Sequence, residues 1–453
     1  PFGAMASEEP MVAASAPASS SAPSGLRPAA KLLQRGMHVV LRDMEATQKV
    51  FWLGQGCKDL RMGRYPPIPI EVVLDQPYGA ILRRSEGGQW LRYRRTCEEQ
   101  PPPPAGGDEG GEEEYVSNAL LAQDNSAQAL SPGEVSELKG RCSGEEVVAA
   151  IASNSATFAT KTKFAQEKYL RKKEQKHVQQ VTLLRATLFE LCDTYMKASR
   201  NKVCGLRFDM LSSILCQADV QTGGRYLVLD SACGLVVAAM AQQLCGSGQV
   251  FRMYRGGCPE KALVELDLGE RRSVVRPLPL QVLQSDDPWS LEWLRQPEPT
   301  TTGEASEELL ASKLVSRQER FRSRSADVRG LQARPVDSLI IVAGDEESDL
   351  ASEALEVGLS HLAPGGRLVV FGQHLQPLAA RQGVFRTSGA FVDVKLNQLF
   401  TREYQVLPQR THPIMTAEAM LCEGFLLTAT KVTNEERASG GDAVVDEAPR
   451  KKR

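Results

Sequence analysis

Residues Arg225–Met240 read RYLVLDSACGLVVAAM, a pattern that runs from strand through turn into helix. An apolar strand over Tyr226–Leu229 ends on Asp230, a turn of small residues follows, and apolar positions at Val236, Ala239 and Met240 continue as a helix. Strand, turn and helix in that order form the first unit of a doubly wound sheet. There the helix N-terminus offers unpaired N–H groups, and glycines let the backbone approach a nucleotide-type cofactor such as S-adenosylmethionine (SAM). Where a D/E-x-G-x-G-x-G pattern would place three glycines, this chain has Ala232, Gly234 and Val236. A methyl at Ala232 and a branched side chain at Val236 restrict the backbone and fill space that a ligand needs. The next strand, Val250–Tyr254, is expected to end in the acid that holds a ribose, and it ends in Tyr254 and Arg255. The central unit therefore reads as a cofactor cradle that no longer holds cofactor.

Working outward, 453 residues suggest about two to three domains. A hydrophobic share of 42% and a charged share of 24% are those of a globular protein, and the net charge of −2 decides nothing because charge is segregated along the chain. Ten cysteines show no C-x-x-C spacing and no pairing with the five histidines. They are expected to be reduced thiols of an intracellular protein, without a metal site. No run of about 18 apolar residues predicts a membrane span. No signal-peptide core is present, and the opening PFGAM reads as a cloning remnant ahead of Met5.

Residues 1–30, rich in Ala, Ser and Pro, are expected to be disordered. Five short β-rich runs follow at 38–42, 49–53, 70–74, 80–84 and 90–93, so residues 31–97 are expected to form a small β-barrel. Residues 98–130 begin with EEQPPPPAGGDEGGEEE and read as an acidic flexible linker. A helical, basic segment is expected over 131–180, starting at Ser131, Pro132 and Glu134. From 181 to 435 strands and helices alternate as a parallel sheet requires, with an antiparallel finish. Its strands are expected at 274–278, 337–344, 365–372, 391–406 and 424–432, with a partly helical insertion at about 284–334. The tail 436–453 is expected to be disordered, and its four terminal bases in PRKKR suggest a nuclear protein.

The segment Lys161–Lys176 holds seven bases, Lys161, Lys163, Lys168, Arg171, Lys172, Lys173 and Lys176, against two acids. On a helix Lys161, Lys168, Lys172 and Lys176 share one side, while Phe164, Tyr169 and Leu170 lie elsewhere. Such a run suits either a solvated charged face or a helix lying against a phosphate backbone, and by itself it leaves both readings open. His38 and His361 read as structural or surface residues. His412 stands in QRTHP (409–413) near Arg402, Tyr404 and Arg410, where a role on RNA or at a subunit interface competes with a plain structural one.

Three separated motifs, KFAQEKYLRKK with LVLDSACGLVVAAM, MYRGG, and REYQVLPQRTHP followed by GFLLTATKV, resemble the non-catalytic, RNA-binding subunits of the eukaryotic tRNA (adenine(58)-N(1))-methyltransferases. The resemblance runs from about 37 to 435 and weakens across 98–130 and 284–334. It implies an α/β fold: a degenerate Rossmann-like class I methyltransferase domain behind a small β-barrel and a helical linker. It further implies a heterotetramer of two non-catalytic and two catalytic subunits on tRNA, with SAM bound by the catalytic partner and no cofactor or catalytic residue here. Laid on this chain, the partner's glycine-rich turn falls on Asp230–Val236, its ribose acid on Tyr254 and its catalytic Asp on Val342, with Asp345 three residues later as a possible substitute. In an RNA-binding subunit the candidate RNA contacts are Lys161, Lys163, Lys168, Arg171, Lys172, Lys173 and Lys176 of the basic run, with Arg402, Tyr404, Arg410 and His412 around the QRTHP turn. Two other readings are an active methyltransferase with an atypical pocket and a protein-only scaffold.

Overall fold

The computed structural model describes residues 32–63, 65–85, 87–94, 128–159, 163–256, 260–294, 307–344, 347–406, 411–414 and 420–432. The first unit contains β1 (His38–Asp43), β2 (Gln48–Trp52), the two-residue strands β3 (Asp59–Leu60) and β4 (Ile68–Pro69), the short helix α1 (Ile70–Val73), β5 (Ile81–Arg84) and β6 (Trp90–Tyr93). The helices α2 (Pro132–Arg141), α3 (Gly144–Ser153) and α4 (Lys163–His177) come next. The chain then returns to the first sheet as β7 (Gln180–Arg185), which lies at its centre in the order β2-β1-β7-β5-β6.

Three expectations are corrected here. The run 70–74 is not a strand: Pro69 precedes it without an N–H for a ladder, and the Leu74 N–H closes one helical turn on the Ile70 carbonyl. The central strand comes instead from residues 180–185, beyond the boundary expected at 97. Among the described residues β2 and β6 each pair with one neighbour, so the five strands form an open sheet rather than a closed barrel. One face buries Val39, Leu41, Leu82, Val181 and Leu183 under Tyr65, Ile68, Ile70 and Trp90.

The helices at 132–153 start where their caps dictate. Ser131 and Glu134, then Ser143 and Glu146, each close a reciprocal capping box. Gly144 has no room for a side chain, since a Cβ there would lie 2.7 Å from the Val178 Cα. That close approach lets α3 sit against the end of α4.

The second unit begins with α5 (Leu188–Ala198) and α6 (Phe208–Gln217). It continues through β8 (Arg225–Asp230), α7 (Leu235–Leu244), β9 (Gln249–Tyr254), α8 (Lys261–Glu265), β10 (Val275–Pro279), α9 (Leu280–Gln284) and α10 (Glu307–Ala333). It closes with β11 (Val336–Val342), α11 (Ser348–His361), β12 (Leu362–Gly372), α12 (Leu375–Ser388), β13 (Phe391–Arg402), the two-residue strands β14 (Tyr404–Gln405) and β15 (His412–Pro413), and β16 (Met420–Lys431). Seven strands form one sheet in the order β10-β9-β8-β11-β12-β16-β13. The first five are parallel, and β16 is antiparallel to both of its neighbours. The sheet is therefore α/β with an antiparallel finish. The insertion is more regular than expected, a 27-residue helix from Glu307 to Ala333.

Alternation along the strands divides the core into two layers. Val228, Val250, Ile340, Val342 and Val369 face α5, α6 and α7, while Leu227, Phe251, Leu339, Ile341 and Leu368 face α9, α10 and α11. The first unit docks on the former side. The His38 Nδ1 lies 2.7 Å from Asp267 Oδ1, Arg42 Nη2 donates to Glu190 Oε2 at 2.6 Å, and Thr194 Oγ1 donates to Gln48 Oε1 at 2.8 Å. Val40 joins the core beneath these bonds.

Candidate functional site

The β8–α7 turn is held by the acid that ends the strand. Asp230 is 1% exposed, and its carboxylate accepts the Ala232 N–H and the Val237 N–H, both at 2.9 Å. Burial pushes its pKa up, while the Val237 N–H, the Arg252 guanidinium and the Ala232 N–H act in the opposite direction. Cys233 and Gly234 both adopt left-handed backbone, at φ 56° and 79°, so the turn keeps the shape of a ligand cradle. Its interior is different. Ala232, Leu235 and Val236 are each 0% exposed and belong to the core layer beneath α5 and α6.

The mouth of the cradle is also covered. The Cys233 Sγ donates to the Lys202 carbonyl at 3.3 Å, and the Ala262 N–H donates to the Cys233 carbonyl at 3.1 Å, so the 201–203 turn and α8 both close on it. Tyr195 donates its hydroxyl to Glu265, and Lys261 lies 4.6 Å from the Tyr195 ring. Burial raises the pKa of the Cys233 thiol, which keeps it protonated and a poor nucleophile.

One component of the site escaped sequence reasoning. Arg252, 2% exposed on β9, donates to Glu260 at 2.5 Å, and Arg272 donates to the same carboxylate at 3.0 Å. A partly exposed Glu260 thus pairs with a buried arginine beside the turn, and that arginine's charge works against the burial that raises the Asp230 pKa. The pair's signal in the sequence is a lone arginine between Phe251 and Met253 in an otherwise apolar strand. Two other family positions lie within the described residues. Tyr254 ends β9 without a carboxylate, and Val342 is 0% exposed in register with Asp230. Asp345 lies outside the described residues. The side chains present do not fit SAM: apolar groups fill its place and a salt-bridged arginine adjoins it.

The basic segment is helical. Lys168, Arg171, Lys172 and Lys176 of α4 are exposed, and Lys173 is half-buried with its Nζ 5.2 Å from the Tyr169 ring. Burial, with Lys176 and Lys172 nearby, lowers the Lys173 pKa. Tyr169 packs on Phe158 at 5.5 Å between ring centroids, so this side of the helix faces inward with Lys173 beside it, and Lys168, Arg171, Lys172 and Lys176 face solvent. Lys163 opens the helix, and Lys161 lies outside the described residues. In the later cluster, Tyr404 pairs with Pro413 and Gln405 with His412. This brings Tyr404 and His412 to one ribbon, with Tyr404 55% exposed and the His412 Nδ1 2.9 Å from the Pro413 carbonyl, while Arg402 ends β13 opposite Met420 in the large sheet. Arg410 lies outside the described residues.

The Gcd10p family model matches residues 32–311. The chain is 28% identical over 345 residues to the tRNA (adenine(58)-N(1))-methyltransferase non-catalytic subunit of Dictyostelium discoideum, covering 70% of this chain and 64% of that one. It is 26% identical over 422 residues to the mouse protein of the same description, covering 81% and 82%. Among solved structures, a SAM-dependent O-methyltransferase from Thermotoga maritima aligns over 89% of this chain and 95% of its own, at 14% identity and a TM-score of 0.46.

Proposed function

The chain belongs to the Gcd10p family, and from that premise we propose that it is the non-catalytic subunit of a tRNA (adenine(58)-N(1))-methyltransferase, holding tRNA for a separate catalytic subunit that binds SAM. The observation that carries this reading is the filled cradle. A methyltransferase unit with Ala232, Val236 and Val342 buried where a cofactor and a general base belong keeps its core and loses its chemistry. The exposed bases of α4 supply the electrostatic surface for a phosphate backbone. Edge strand β13 supplies an assembly surface: Val392 and Phe400 on it, with Tyr404 and Val406 just beyond, are exposed large apolar residues. An arrangement of two such subunits with two catalytic ones suits this surface, and a nuclear location suits the basic end Arg450–Arg453.

Calorimetry on the isolated chain is expected to show no SAM binding, and a micromolar dissociation constant would overturn the filled-cradle reading. RNA binding is tested on α4 by replacing Arg171, Lys172 and Lys173 with alanine, a good helix former. In the complex with its catalytic partner, each phosphate that goes unneutralised is expected to lower the log–log salt slope of tRNA affinity by somewhat under one unit. Because cations on phosphates position the RNA without reading its sequence, the weakening is expected to be similar for any tRNA. An unchanged slope with unchanged affinity would leave α4 a solvated face and remove it from the RNA surface.

A further inference from the structure

Helix α10 forms most of the insertion that the proposed function leaves without a role. Its last turns are anchored. Val328 and Leu331 are buried in the second core layer, Asp327 pairs with Arg276 at 3.4 Å, and the Gly330 carbonyl accepts from Arg225 at 2.8 Å. Those arginines begin β10 and β8, so the helix end crosses the N-terminal ends of the parallel strands before turning into β11. Two tryptophans complete the anchor. Arg324 lies 4.7 Å over the Trp293 ring and donates to its carbonyl at 3.2 Å, and Arg329 lies 5.2 Å over Trp289.

The stretch before this anchor is of another kind. None of residues 312–323 is buried. From Lys313 to Arg324 there are five bases and one acid. Lys313, Arg317, Arg320 and Arg324 follow one another at spacings of four, three and four, which places them in one row of about 16 Å along the helix. Elsewhere on this domain arginines are neutralised, as in Arg255–Glu353, Arg272–Glu260 and Arg381–Glu356. Among the described residues no carboxylate pairs with Lys313, Arg320 or Arg322; the Arg320 Nε donates to the Ser316 carbonyl of its own helix at 3.1 Å. A surface helix gains from opposite charges one turn apart, yet here bases follow bases, and an exposed tryptophan, Trp289, stands at the anchored end.

We infer that the row Lys313, Arg317 and Arg320 of α10 is a second binding site for an RNA phosphate backbone, separate in sequence and in structural element from α4. Exposed cations in a row are the chemistry that tracks phosphates, and the tryptophans at the anchored end lie against Arg324, the last of that row, and Arg329. The buried C-terminal turns fix the row's direction, so little ordering is left for binding to impose. The inference rests on the reading of this chain as a tRNA-binding subunit.

The test replaces Lys313, Arg317 and Arg320 with alanine in the complex with the catalytic partner. Affinity for a tRNA transcript is measured from low to physiological salt beside the Arg171, Lys172 and Lys173 alanine variant. The α10 variant is expected to lose about tenfold or more in affinity near physiological salt, and its log–log slope is expected to fall by about two to three units. Arg317→Lys with Arg320→Lys, which keeps the charges, is expected to retain both. Parent-like slope and affinity in the α10 variant, while the α4 variant shifts both, overturns this inference and leaves the proposed function standing. Parent-like behaviour of both variants overturns the RNA-binding reading itself. If the α10 variant releases the catalytic partner on size-exclusion chromatography while its tRNA slope is unchanged, the row is a protein interface and the inference falls.

Discussion

Replacing Arg252 with alanine is expected to lower unfolding stability by about 3–5 kcal/mol, the usual result of removing one partner from a buried ion pair. Arg252 is 2% exposed, donates to the partly exposed Glu260, and carries a charge that works against the burial raising the pKa of the enclosed Asp230. Truncation takes one arginine from Glu260 and removes the positive charge that acts on Asp230 in a layer of Val228, Val236 and Val342. It also opens a cavity where the long side chain lay, and buried voids of that kind add to the loss. Arg252→Met separates the two effects, because methionine refills much of the volume without the charge. If charge dominates, the methionine variant keeps most of the destabilisation in denaturant unfolding of the assembled complex. A loss under about 1 kcal/mol in both variants would show that Asp230 is satisfied by the turn alone.

That dependence of the turn on Arg252 marks where the sequence stops being readable. The α/β order is legible because each strand of the parallel sheet is a short apolar run bounded by turn residues, and VLD followed by small residues can do little but turn into a helix. The loss of the cradle is legible at Ala232, Val236, Tyr254 and Val342, since a missing glycine or acid is visible as a letter. What replaced the ligand is not. Arg252 and Glu260 are eight residues apart, and their meeting beside the turn depends on how α8 folds back on it. The first sheet is misread for a related reason. Local pattern makes 70–74 a strand, but the segment that fills the centre of the sheet is 180–185, and joining residues so distant is a matter of topology rather than of local preference. In α4 the basic run is plain, whereas its inward aromatic side emerges only from the packing of Tyr169 on Phe158.

Restoring the lost acid is expected to harm this chain rather than revive it. Val342→Asp is expected to cost about 4 kcal/mol, within the range for burying a polar group without a partner. Val342 is 0% exposed and pairs in register with Asp230 on the neighbouring parallel strand, with its carbonyl accepting the Ser231 N–H at 3.0 Å. Strands about 4.8 Å apart would then carry two carboxyl groups on the same face, away from water. Two such groups cannot both ionise cheaply, so burial and the negative neighbour raise the pKa of the introduced carboxyl in the folded state. The sign follows directly: the folded chain holds a proton that the unfolded chain releases above pH ~4, so the penalty grows as pH rises from there toward the folded value. Denaturant unfolding of the complex at about pH 5 and about pH 8 reads this as a larger deficit at the higher pH. No methyl transfer is expected from the isolated variant supplied with tRNA and radiolabelled SAM, because Ala232, Leu235 and Val236 still fill the cofactor's place. A variant as stable as the parent at both pH values, or one that methylates tRNA by itself, would mean that the cradle opens in solution and that this unit retains methyltransferase chemistry of its own.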